Sequence, residues 1–245
     1  MRLRFYAFLI HLLGSCLLAI AAFYLVFFIW YPAPLDTAVG VSGVVLLLVG
    51  VDVVIGPLLT FTVYNPKKKS LRFDLACILV LQLVAFTYGM ATLAAGRPIW
   101  LIFNADRFDL VQAYEVDNRH PERIPEIYRS PSWTGPRWVA AMPPDSIEER
   151  NRLTFESVFA GVDLPQRADL YQPLDTANAA IRQRALPLDE LNKFNDVQEV
   201  EKILKRWPEA DAFLPMMARV RPMTVLLKKN QAKVIAVVDI RPWEE

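Results

Sequence analysis

Asp52 stands in the apolar stretch Gly50-Val51-Asp52-Val53-Val54-Ile55, and Ser15 and Gln82 stand in apolar stretches of their own. A carboxylate at mid-membrane depth costs on the order of 2.5–3.5 kcal/mol to insert, so such a group faces other helices rather than lipid. Three chemistries fit it: a polar knot in which a protonated Asp52 fixes helix register, a docking point for a partner's membrane helix, or a proton-linked site. Pro57 has no N–H, frees the Val53 carbonyl and, with Gly56, should kink the helix one turn from Asp52.

Outside the apolar stretches the search for an active site mostly fails. His120 lies beside Glu122 and Glu126, but a metal site needs several convergent ligands, and a lone histidine near acids reads as a solvated loop. No phosphate loop, nucleophile elbow, dinucleotide fingerprint or zinc-protease helix is present. Ser130 and Ser157 have no sequence context that marks a nucleophile. No catalytic residue, cofactor-binding residue or metal ligand is therefore assigned, and no cofactor is expected. Asp106 and Arg107 are the best polar candidates for binding a partner, although turn chemistry alone accounts for them. Trp133, Trp138 and Trp243 could anchor an interface or close the core. The balance favours binding or assembly over catalysis.

The elements that position these groups begin with three apolar runs, 5–29, 39–61 and 73–95. Each exceeds twenty residues, enough at 1.5 Å per residue to cross a hydrocarbon core of about 30 Å. Arg2 and Arg4 precede the first run, and Lys67, Lys68, Lys69 and Arg72 fill the link between the second and third. The link between the first and second has no basic residue and carries Asp36. The positive-inside rule then puts the N-terminus in the cytoplasm and everything after 95 on the far side. The first run is too long for a signal-peptide core, and Tyr31-Pro32-Ala33-Pro34 is a poor cleavage site, so it reads as a retained helix. Counted from the cytoplasmic ends, Asp52 lies roughly 18 Å deep, Ser15 ~15 Å, Gln82 ~13 Å and His11 ~9 Å. Ser15 and Gln82 are thus the expected hydrogen-bonding partners of Asp52, with His11 somewhat low. Gly40, Gly43, Gly50 and Gly56 suit the second helix to close packing.

The apolar fraction of 54% comes largely from the first 96 residues. The remainder, 97–245, mixes both charges with a small acidic excess, which gives no basic face for nucleic acid. Both cysteines, Cys16 and Cys77, fall in apolar runs, so the exported part must be held by packing alone. Two β-rich runs flank Asn104-Ala105-Asp106-Arg107 and read as a hairpin. The polar, proline-rich stretch 117–136 reads as a long loop and 137–141 as a strand. Pro143-Pro144-Asp145-Ser146 opens a helix capped by Ser146 and Glu149 and stopped by Gly161. A helix over 175–186 and a second capped helix from Asp196 follow, then strands over 216–220, 223–228 and 233–240. The expected fold is an α+β membrane protein: a three-helix transmembrane domain (1–96) and an α+β extracytoplasmic domain (97–245) with an antiparallel sheet.

The run Gly50-Val51-Asp52-Val53-Val54-Ile55-Gly56-Pro57-Leu58-Leu59-Thr60 resembles the second-helix signature of type IV pilin accessory proteins of the TfpX/TfpZ type. So do Asn65-Pro66-Lys67-Lys68-Lys69-Ser70-Leu71-Arg72-Phe73-Asp74-Leu75, Gln82-Leu83, Tyr88-Gly89, Arg97-Pro98, Asp106-Arg107-Phe108, Arg221-Pro222-Met223-Thr224-Val225 and Asp239-Ile240-Arg241-Pro242-Trp243. The resemblance implies a multi-pass protein of the bacterial inner membrane with a periplasmic C-terminal domain, serving fimbrium biogenesis. Its implied partners are the major type IV pilin, in a chaperone-like role, and the pilus assembly machinery, besides the lipid bilayer. The resemblance supplies no catalytic residues. The expected function is non-enzymatic help to type IV pilus assembly by binding or stabilising pilin. A membrane-embedded enzyme modifying pilin or envelope substrates is the alternative, and it would need polar groups converging near Asp106, Arg107 and His120. A small transporter is the third reading, weakened by three spans and one central carboxylate.

Overall fold

The computed structural model describes residues 1–144 and 146–244. It forms two compact units: one of 1–36 with 40–96, the other of 37–39 with 97–245. Three helices in the first unit are long and apolar enough to cross a membrane: Arg2–Trp30, Ser42–Val63 and Leu71–Gly96. Large apolar side chains point outward along all three, among them Ile20, Leu47 and Leu81. A helix apolar all round belongs in lipid, because water would leave that surface unpaid by any burial.

The second helix departs from the sequence reading at its start. Gly40 takes a φ of 70° and separates the short helix Leu35–Val39 from the span, which begins at Ser42. Gly40 therefore serves a turn, not helix packing; the left-handed backbone suits a residue without Cβ. Across 50–55 the span widens into a π-helical turn, followed by regular helix over Gly56–Val63 with Pro57 in its first turn. The expected break at Gly56-Pro57 thus takes the form of an inserted residue, which gives the proline ring room against the preceding turn. Close packing is realised at Gly89, where an added Cβ would come within 2.6 Å of Leu48 Cδ1.

The second unit is an eight-stranded sheet with helices. Strands β1 (Pro98–Asn104) and β2 (Arg107–Gln112) form the expected hairpin, with Asn104 opposite Arg107. The other strands are β3 (Arg137–Ala141), β4 (Tyr171–Pro173), β5 (Leu186–Pro187), β6 (Ala212–Met217), β7 (Met223–Lys228) and β8 (Lys233–Val238). The order is β4-β3-β1-β2-β6-β7-β8, with β5 also paired to β6. The sheet is mixed, not antiparallel throughout: β1 runs parallel to β3 and β2 parallel to β6. Parallel neighbours need long connections, and the stretches 105–136, which includes β2, and 113–211 supply them. The strand expected at 216–220 lies instead at Ala212–Met217 and contains Pro215. One edge of β6 pairs with β5 at 212–213 and with β2 at 216–217. Pro215 falls in the gap between them, where a residue without N–H is tolerated.

One core gathers Ile99, Trp100, Val139 and Tyr171 with Ile124 and Tyr128. The last two come from the polar stretch read as loop, which forms short turns over Pro121–Arg123 and Glu126–Arg129. Trp100, Tyr128 and Tyr171 meet edge to face with centroids 5.4–5.9 Å apart, an arrangement aromatic quadrupoles favour. The other core packs the helix Val197–Leu204 through Val200 onto Phe213, Leu226 and Val238. The side chain of Asp196 caps that helix on the Gln198 and Glu199 N–H groups. Ser146 likewise caps Ile147–Ala160, which ends at Gly161 with a φ of 63°; Asp145 lies outside the described residues. Ala38 is fully buried in this unit, its carbonyl accepting from the Val220 and Arg221 N–H groups at 3.0 and 3.1 Å.

Candidate functional site

The apolar helices enclose a groove of about 590 Å³. Its wall on the first helix is every third or fourth residue from Leu3 to Leu18, one face at α-helical spacing. Ser15, Asp52 and Gln82 all line it, so the structure brings these expected residues together. Pro57 is buried beside them but does not line the groove.

The bonding differs from the sequence expectation. Gln82 Nε2 donates to the Val51 carbonyl at 3.1 Å, which leaves Oε1 toward His11 Nε2 at 2.7 Å. That oxygen can only accept, so His11 Nε2 carries a proton. His11 Nδ1 then meets Thr60 Oγ1 at 2.6 Å. The Gln82 amide is thus spent on His11 and the helix backbone, not on Asp52. His11, counted somewhat low from rise per residue, is the junction of the network. Counting along an axis omits the reach of a long side chain such as Gln82. Gly56 makes this geometry available: a Cβ there would overlap the Gln82 amide. The same Val51 carbonyl accepts the Gly56 N–H of the π turn.

Asp52 is 5% exposed, and its Oδ2 is buried with no hydrogen-bond partner among the described residues. Thr60 is the member that sequence reasoning missed. Its signal was there, four residues after Gly56 on the same helical face and polar in an apolar run.

In the second unit Asp106 is exposed at the hairpin tip, while Arg107 Nε donates to Asp109 Oδ1 at 3.2 Å. The two expected binding residues therefore diverge. Arg107 lines a cleft of about 480 Å³ with Asp109, Arg150, Ser157 and Asp163; Asp106 and His120 do not line it. Asp109 is buried, and burial pushes its carboxyl above the ordinary range despite the bonds from Arg107 and Asn104. In the cleft the Ser157 hydroxyl donates to Asp163, so these polar groups are engaged with each other. His120 Nδ1 sits 3.4 Å from Glu122 Oε1. Among the described residues no three His, Cys, Asp or Glu side chains converge as a metal site requires. Trp133 is exposed and stacks under the Arg97 guanidinium at 3.9 Å, whereas Trp138 packs on Phe108 at 5.1 Å.

A buried ion network ties the helix Ile147–Ala160 to the chain beyond it. Arg167 makes two bonds of 2.9 Å to Asp169, pairs with Glu156 and lies 3.8 Å from Asp117. Arg119 grips the same Asp117 with two bonds of 2.8 Å.

Fold and groove together define a membrane protein with three apolar helices around a polar centre and an α+β domain. Residues 1–40 match the family model described as fimbrial assembly protein FimB. The chain is 32% identical over 245 residues to the fimbrial assembly protein, serogroup E1, of Dichelobacter nodosus, covering 96% of this chain and 94% of that one. The serogroup I protein of the same organism matches at 32% over 245 residues with the same coverage. The protein of serogroups C1 and C2 matches at 37% over 109 residues, 44% of this chain and 83% of that one. No solved structure matches. The chain belongs to this family of fimbrial assembly proteins, a type IV pilus accessory family.

Proposed function

We propose that the protein is a non-enzymatic accessory factor that assists type IV pilus assembly by binding or stabilising pilin subunits in the bacterial inner membrane. Its relatives carry the name of fimbrial assembly, which supports the process. The observation that carries the binding reading is the buried, unpartnered Asp52 Oδ2 on an apolar groove. A lone tether has no use for such a group, because an intramembrane carboxyl is costly unless it meets a partner. The basic residues at 2, 4, 67, 68, 69 and 72 support a cytoplasmic N-terminus. The domain after Gly96 then lies in the periplasm, joined to the third helix by Arg97 alone before β1 begins. A membrane-held subunit with an external head would thus have two surfaces to meet.

Deleting the gene and counting surface pili against total pilin tests the reading. Fewer pili with unchanged pilin indicates assembly, and loss of pilin indicates stabilisation. Unaltered piliation would refute both.

A further inference from the structure

We infer that the groove receives one apolar transmembrane helix of the pilus subunit, and that this helix presents a hydrogen-bond donor to Asp52. The inference rests on the reading of pilin binding above and adds the surface and the recognising group. Three observations support it. Asp52 Oδ2 is buried, unpartnered and on the groove, so the site has an acceptor awaiting a donor. Three of its polar neighbours are already engaged, Gln82 with His11 and Val51, and His11 with Thr60; the Ser15 hydroxyl is the fourth on the groove. No described side chain donates to that oxygen, which leaves it open to a donor from outside the chain, as an amine, hydroxyl or amide N–H.

The shape favours a helix over a lipid. The lined face of the first helix runs from Leu3 to Leu18, roughly 22 Å at 1.5 Å per residue. Toward its Leu18 end lie Gly14 and Ser15, small residues that let a second backbone approach closely. A Cβ at Gly14 would meet nothing within 4 Å. Asp52 sits roughly 16 Å from the Val63 end of its span. Acyl chains carry no donor at that depth, while a helix can carry one on any turn.

Photo-crosslinking in native membranes that contain the pilin tests this with the full chain. The probe is placed at Leu18 or Leu83 on the groove, at Leu47 facing away from it, and at Asp106 in the outer domain. The expected result is a pilin adduct from Leu18 and Leu83 and none from Leu47. Asp52→Leu, which exchanges the carboxyl for an apolar group that helices insert readily, should lower the groove adduct roughly three- to twentyfold. Gly14→Leu, which fills the groove without touching Asp52, should lower it as well. Groove adducts unchanged in Asp52→Leu at equal protein level would overturn the inference, as would capture of phospholipid alone or of a second copy of this chain. A pilin adduct from Asp106 with none from the groove would defeat the inference and leave the pilin reading standing. No pilin adduct from any position would defeat both.

Discussion

Replacing Gly56 with alanine should destabilise the membrane helices, although alanine is the better helix former. Glycine to alanine inside a helix gains roughly 0.8–1.0 kcal/mol in propensity. Gly43→Ala should show that gain, because nothing lies within 4 Å of a Cβ there. At Gly56 the new methyl would occupy the place of the Gln82 amide. The amide must then leave both the Val51 carbonyl and His11, now at 3.1 and 2.7 Å. Hydrogen bonds between membrane helices average about 0.6 kcal/mol and reach about 1.7, so losing two places Gly56→Ala about 1–3 kcal/mol below Gly43→Ala. Reversible unfolding in mixed SDS micelles reads the difference. A cycle with Gln82→Ala isolates its cause, since without the amide the added methyl has nothing to displace. Gly56→Ala as stable as Gly43→Ala, or a penalty that persists in the Gln82→Ala background, would refute the account.

In the outer domain, Arg167→Met should cost roughly 3–5 kcal/mol, because it strips the counter-charge from buried Asp117 and partly buried Asp169 and Glu156. For a domain of this size that is a Tm drop of roughly 6–20 °C by calorimetry of the full protein in detergent. The penalty should carry a pH signature. The Arg119 bond holds Asp117 below the ordinary range; at Asp169 burial pushes upward, but the bond and charge of Arg167 outweigh it and the net shift is down. Carboxyls with depressed folded pKa values stabilise above the unfolded value and lose that stabilisation as pH falls through the folded one. The gap between wild type and Arg167→Met should therefore be full at neutral pH and narrow below about pH 4; a constant gap would contradict the pairing. Thr224→Val should cost about 1–3 kcal/mol in the same calorimetry, since the fully buried hydroxyl donates to the Ile240 carbonyl at 2.7 Å. Ala105→Gly should instead stabilise. The exposed Ala105 has a φ of 58°, a conformation that costs an L-residue roughly 1–2 kcal/mol, against about 0.4–1 for the looser unfolded glycine chain. A rise in Tm of a few degrees, about 1–4 °C, checks it.

Local signals are legible where one segment contains its own cause. The hairpin at Asn104–Arg107, the caps at Ser146 and Asp196 and the stop at Gly161 depend on neighbours within four residues, and all are realised. The strand containing Pro215 was displaced in the sequence reading, because proline argues against a strand unless its neighbours leave a gap. That gap is made by β2 and β5, which are distant in the chain. Parallel pairing of β1 with β3 and β2 with β6 was hidden for the same reason, and so was the burial of Ile124 and Tyr128 from a polar stretch.

Composition and spacing alone determined three membrane-length helices, a polar centre built from Asp52, Ser15 and Gln82, and an α+β domain after them. These follow from transfer energies and from periodicity, which act residue by residue. Which polar groups bond to which was decided only by tertiary structure. Gln82 reaches His11 and Val51 because Gly56, on another helix, leaves space for its amide. That choice leaves Asp52 Oδ2 without a partner. A hydrogen bond is settled within a few tenths of an ångström, and distances between separate helices are written in no single stretch of the chain.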